Sequence, residues 1–350
     1  MKYFTKPLLL FYIFNLMFAQ TSSQPNGSGT ENDPYLISGI NQLYWISQNS
    51  DSWDKYFLQT SDINAGSSKN WNSGKGFTPI GNSSVKFTGK YNGSLYVIDS
   101  LHINDPNSSY LGLFGYIKQA ELDGIGLTNA EINGFTKLGI LAGYAYTKNI
   151  ITNCFSTGKV KGLSEIGGLV GSLEYEEKLF TSYSKADVTG YRRIGGLVGN
   201  SATRSRINNS YSFGKVAGYD DNYGQNQYPD KDSEIGGLVG ALTNNSYLYN
   251  SYSSGEVSGS MMVGGLVGRM MSNSFANNSF WDSEKSKIDT SALGIKKTTQ
   301  EMKYYKTFNN AGWDFKVWDI DNTAANYNDG YPFLAWQNNY QTLRDISSPV

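Results

Sequence analysis

The chain has little of what most enzyme chemistry requires. Among 350 residues there is one cysteine, Cys154, so no internal disulfide can form and none is used for stability. There is one histidine, His102, which excludes a His-Glu-x-x-His zinc motif and leaves histidine triads and most zinc sites without their ligands. Charge of one sign is not in excess. Without Lys2 and Lys6 the 29 basic residues fall to 27 against 30 acidic ones, a net −3. That is no electrostatic footprint for nucleic acid or an anionic membrane. Long hydrophobic runs are missing apart from Leu8 to Phe18, which is too short to span a bilayer as a helix. Preceded by Lys2 and Lys6 and followed by Ala19, that run reads as a secretory signal over residues 1–19. No cysteine follows it to carry a lipid. The expectation is a secreted or cell-surface protein with no membrane span.

What is present is repetition. Gly-Gly-Leu-Val-Gly occurs at Gly167–Gly171, Gly195–Gly199, Gly236–Gly240 and Gly264–Gly268, at spacings of 28, 41 and 28 residues. Weaker copies lie at Gly139–Gly143 and Leu111–Gly115, each 28 residues further upstream. A fixed period of this length means a solenoid. Within one period, Ile194–Gly199, Ile207–Ser212 and Gly214–Gly218 are short runs bounded by Gly, Asn or Ser, too short for helices. Three strands and three corners in 28 residues suit one rung of a parallel β-helix.

Stacked rungs predict ladders of equivalent residues. Ile151, Leu179, Ile207, Leu248 and Ala276 align, as do Ile132, Val160, Val188, Val216 and Val257. Phe155, Tyr183, Tyr211, Tyr252 and Phe280 form an aromatic column, expected to stack internally. Asn153, Asn209, Asn250 and Asn278 form an amide column with Thr181 in the remaining slot. The residue before each valine alternates in sign, through Glu131, Lys159, Asp187, Lys215 and Glu256. Strand alternation places it in solvent, where unlike neighbours fix the register.

The 41-residue spacing holds 13 extra residues within 217–234. This polar insertion carries Tyr219, Asp220, Asp221, Tyr223, Tyr228 and Asp230, the candidate ligand-binding loop. By the period, Asp220 and Asp221 fall on Arg192 and Arg193 as rung-to-rung ion pairs, which weighs against a catalytic role for the acidic cluster. Residues 20–110 read as an N-terminal cap and irregular first rungs. Ile40, Leu43, Tyr44 and Ile46 lie at helical spacing there, and strands are expected over 56–64, 77–81 and 87–103. Residues 111–290 hold the repeats. Residues 291–336, with Trp313, Trp318 and Trp336, read as an aromatic C-terminal cap, and 337–350 as a polar tail. Both caps are needed because an open solenoid end exposes core and strand edges.

These features carry a resemblance. The Gly-Leu-Val-Gly strings, the opening Gly27-Ser-Gly-Thr-Glu-Asn-Asp-Pro-Tyr-Leu-Ile37 and the closing Gly312-Trp-Asp-Phe resemble the GLUG-motif proteins, over roughly residues 27–336. The resemblance implies an exported bacterial protein with a right-handed parallel β-helix, and no general catalytic residues. The same repeat occurs beside the catalytic domain of a surface metallopeptidase that cleaves immunoglobulin A, whose zinc motif this chain lacks.

Single residues read as structural. His102 sits in a strand-like run, and Cys154 fills a slot held elsewhere by Ser182, Ser210, Ser251 and Ser279. No cofactor or metal is expected. The reading is a non-enzymatic surface or adhesion module that binds protein or glycan by its lateral face and inserted loop. A polysaccharide-active lyase or hydrolase and a passive spacer are the alternatives.

Overall fold

The computed structural model describes residues 20–219, 233–320 and 327–338. It is a right-handed parallel β-helix of about six turns. One rung runs through Arg192–Gly195, Val198–Ala202, Arg206–Asn208, Tyr211–Ser212 and Val216–Gly218. Among the described residues these tracks belong to sheets of five, six, nine and thirteen strands, the last holding two tracks. The rung therefore has four faces, where three strands were expected. The Gly-rich run causes the difference. It bends at Gly196-Leu197 into two strands on different sheets.

Two glycines of the repeat are required by close approach. A Cβ on the first, Gly167, Gly195, Gly236 or Gly264, would sit 2.0 Å from the carbonyl oxygen three residues on. A Cβ on the second meets the side chain packed inside the corner, such as Ser184 Oγ at 2.2 Å from Gly168. The motif is thus a corner. Its Ile, Leu and Val positions are fully buried at Ile194, Leu197 and Val198. Each such side chain contributes about 1.5–3 kcal/mol of burial.

The expected ladders pair in register. Ile151, Leu179, Ile207, Leu248 and Ala276 are successive partners, as are Ile132, Val160, Val188, Val216 and Val257. The amide column has a conformational cause. Asn153, Thr181, Asn209, Asn250 and Asn278 all have φ between 44° and 53°, the left-handed region that Asn tolerates best among side-chain residues. Stacking adds to this, since Thr181 donates to Asn153 Oδ1 at 2.9 Å.

The N-terminal end is closed by a helix, Ile40–Gln48, which buries Leu43 and Ile46. The irregular first rungs are more broken than expected. The 56–64 stretch gives Tyr56–Gln59 and Ile63–Asn64, and 87–103 gives three-residue strands from Lys90, Val97 and His102. Residues 77–81 form no strand; Ile80 makes a single bridge to Phe114.

The other end is covered by the loop after Phe280–Asp282. Ser291 Oγ accepts from Leu266 and Val267, and Ile288 and Leu293 pack on the core. The aromatic segment beyond it then turns back along the flank. Trp336 packs on Phe155 and Tyr183, Trp318 on Tyr211 and Tyr252, and Trp313 on Phe280. The aromatic column is thus internal, with Tyr183 and Tyr211 stacked 3° from parallel at 4.8 Å. It forms a second core, separate from the solenoid interior. Polar atoms fasten this strap: Tyr211 Oη donates to Gln337, Tyr252 Oη to the Pro332 carbonyl, and Trp336 Nε1 to the Thr181 carbonyl.

Candidate functional site

The inserted loop leaves and rejoins the solenoid at the corner between the thirteen- and five-stranded sheets. Gly218 still pairs Gly190, and Ile235 pairs Ile194. Of the candidate loop residues only Tyr219 is described; its amide donates to the Gly190 carbonyl at 2.7 Å. Asp220, Asp221, Tyr223, Tyr228 and Asp230 lie outside the described residues.

Arg192 and Arg193 have carboxylate partners among the described residues, while Asp220 and Asp221, the partners expected from the period, lie outside them. The Ile194–Ile235 register puts Glu234, beyond the insertion, beside Arg193. Arg193 Nε lies 2.9 Å from Glu234 and its Nη1 3.2 Å from Glu165. Arg192 and Arg269 also reach Glu234, at 3.7 and 3.0 Å, and Glu234 is wholly buried. Lys137 joins the column on Glu165. Burial pushes the Glu165 carboxyl up, but Lys137 and Arg193 outweigh it and hold it below the usual range. This is a structural charge column at the base of the loop. Sequence reasoning missed it although Lys137, Glu165 and Arg193 keep the 28-residue spacing, because it paired Arg193 with the insertion and not with Glu234 beyond it.

His102 Nδ1 lies 3.3 Å from Glu131. Cys154 is fully buried, and burial pushes its thiol up. Among the described residues no group of three or more His, Cys, Asp or Glu could hold a metal ion.

The open face is the outside of the nine-stranded sheet. On each rung the core ladder residue is flanked by two outward positions. One column runs Tyr56, Lys90, Glu121, Ile150, Lys178, Arg206, Tyr247, Phe275. The other runs Asn92, Asp123, Thr152, Phe180, Asn208, Tyr249, Asn277. The face changes along its length. Near the N-terminus a groove of about 550 Å³ is lined by Glu31, Lys90, Glu121 and Asp123. Toward the C-terminus Phe180, Arg206, Asn208, Tyr249 and Asn250 line a hollow of about 290 Å³. Phe275 beside it is 40% exposed, and the Arg206 guanidinium lies 5.9 Å from the Tyr247 ring.

Next to the hollow is a second groove of about 550 Å³, lined by Lys148, Glu176, Glu177, Lys178, Arg204 and Arg206. Glu177 is 1% exposed and accepts the Asn149 amide at 3.0 Å. Burial pushes its carboxyl up to about 8, against the lowering effect of Asn149. Sequence reasoning proposed a lateral face but named no residues on it, because it sought exposed aromatics in the insertion. The signal was present in Tyr247-Leu248-Tyr249, where alternation puts both rings outward of a core leucine.

A second tyrosine cluster, Tyr110, Tyr116, Tyr144 and Tyr146, lies on the six-stranded sheet. Its rings pack against one another, Tyr110 and Tyr116 stacked and the other pairs edge-on or tilted, and Lys86 and Lys137 sit over two of them. Phe180 is half-buried and lines the hollow.

No family model matches the chain. It is 33% identical over 135 residues to halomucin of Haloquadratum walsbyi, a match covering 38% of this chain and 2% of that protein. It is 32% identical over 100 residues to a "Putative Gly-rich membrane protein" of Evansella cellulosilytica, covering 28% and 11%. The chain thus spans a small fraction of these relatives. Among solved structures, a "putative immunoglobulin A1 protease" from Bacteroides ovatus superposes with a TM-score of 0.64 at 20% identity, over 89% of this chain and 94% of that one. At that identity the likeness is one of fold. Among the described residues no helix is long and apolar enough to cross a membrane.

Proposed function

We propose that this chain is an exported, non-enzymatic surface module that binds glycan or protein on the outer face of its nine-stranded sheet. One observation carries the reading. Phe180, Tyr249 and Phe275 are held with Arg206 and Asn208 on a parallel sheet outside the core, the first two half-buried and the third exposed. Soluble proteins rarely leave such a patch without a partner. Ring faces stack on sugars, and aromatic residues with arginine anchor protein interfaces. The names of the sequence relatives, a halomucin and a membrane protein, support a surface location. The resemblance to the GLUG-motif proteins supports export from a bacterium. A protease reading draws on the name of a structural neighbour at 20% identity, and among the described residues no cluster that could hold a metal adds to it.

The inserted loop is the second proposed contact, through Tyr219, Tyr223 and Tyr228. Its base does not adjoin the aromatic hollow, so the two sites are separable. A glycan array, with a protein-binding screen beside it, should be run on residues 20–350 as the parent, as Tyr249→Ala and with residues 220–232 excised. Retention of signal in the excised form with loss in Tyr249→Ala assigns binding to the sheet. The reverse pattern assigns it to the loop. A blank array and a blank screen for the parent would end the reading.

A further inference from the structure

The two halves of the binding face differ in charge, and this selects a ligand. The N-terminal groove sets Glu31, Glu121 and Asp123 against Lys90 alone. Lys90 is itself paired to Glu121 at 3.1 Å. The C-terminal half sets Lys148, Lys178, Arg204 and Arg206 against Glu176 and Glu177. Glu176 is engaged by Arg204 at 2.7 Å and by Lys148 at 3.7 Å. Lys178 and Arg206 have no carboxylate partner within ion-pair distance among the described residues. They are register partners on adjacent rungs, so they form a cationic pair about 5 Å apart along the axis. Arg206 lines both the basic groove and the aromatic hollow.

Resting on the reading of this face as a glycan site, we propose that its ligand is an acidic polysaccharide carrying carboxylates. A sugar ring would stack at Phe180 and Tyr249, two rungs apart, with its carboxylates at Lys178 and Arg206. An arginine fork suits a planar carboxylate, and an extended polymer suits a face that repeats by rung. The acidic N-terminal groove would repel the same polymer, so its seat is the C-terminal half. The burial of Glu177, which favours its neutral form, leaves the groove more positive at neutral pH.

The test is titration calorimetry of residues 20–350 with short oligogalacturonate, with the same oligomer methyl-esterified, and with a sulfated heparin-type oligosaccharide. The acid form should bind about tenfold or more tighter than the ester, a preference that shrinks as salt is raised. Lys178→Gln with Arg206→Gln should abolish the preference without changing the melting temperature, because both side chains are exposed. Tyr249→Ala should weaken acid and ester alike. Equal binding of acid and ester, both lost in Tyr249→Ala, would overturn the carboxylate assignment and leave the glycan-binding face standing. Binding of the sulfated probe alone would overturn it also. If no probe binds and the array gives a neutral glycan, or the array is blank and the protein screen is not, this inference falls and the face survives; if array and screen are both blank, both fall.

Discussion

At the scale of the residue, the most exposed weakness of this fold is Glu177. It is buried at a corner, with one carboxyl oxygen accepting the Asn149 amide and the other without a partner. Its carboxyl is pushed up from 4.5 to about 8 by burial. A raised folded value means the folded state holds the proton more tightly than the unfolded chain does. Its contribution to stability is therefore full below about pH 4.5, falls as pH rises toward 8, and is level above that. Glu177→Gln should flatten that decline and make the protein about 1–3 kcal/mol more stable than the parent at alkaline pH. Thermal melting of both forms at about pH 5 and about pH 9 measures this. Equal slopes would mean the carboxyl is solvated and ordinary. None of this was legible in the sequence. Glu177 holds a slot that is Asn149, Ser205 and Ser246 elsewhere, and only the buried corner shows what an acid costs there.

At the scale of the element, rung register is set by charge as well as by the core. Three columns alternate in sign: Glu131-Lys159-Asp187-Lys215-Glu256, Lys137-Glu165-Arg193-Glu234 and Lys148-Glu176-Arg204. Their weights differ with burial. Lys159→Glu would set three acids in successive exposed rungs and should cost at most about 1 kcal/mol, recovered at high salt. Arg193→Met leaves Glu234 buried with less compensation and should cost about 2 kcal/mol, little changed by salt. Denaturant titrations of both variants at low and high salt test the contrast; equal salt sensitivity would refute it. The first column was legible, because glycine spacing aligned it without reference to charge. The second was legible only in part: Lys137, Glu165 and Arg193 keep the 28-residue spacing, but the choice of Glu234 over the acids of the insertion shows only in the structure. The fold class was legible for the same reason as the first column: each rung repeats one solution to one packing problem. The fourth face was not, since Ile194–Gly199 reads as one run until the close approach of Gly195 to Val198 shows the bend.

At the scale of the whole molecule, the strap decides how the rungs behave together. A plain solenoid holds each rung by its two neighbours and frays from the ends. Here residues 299–320 and 327–338 return along the flank and bury Phe155, Tyr183, Tyr211, Tyr252 and Phe280 at once. Ending the chain at Thr298 should leave a β-rich spectrum but lower the melting temperature and bring strong binding of a hydrophobic dye to the bared column. An unchanged melt with no dye binding would mean the strap adds nothing. The strap also imposes a schedule. Rungs can stack as they leave the ribosome, yet the aromatic flank stays uncovered until the strap that follows them in the sequence has been made. A nascent chain is sticky along that side until then, so the repeats become inert only when a segment they do not contain arrives to cover them.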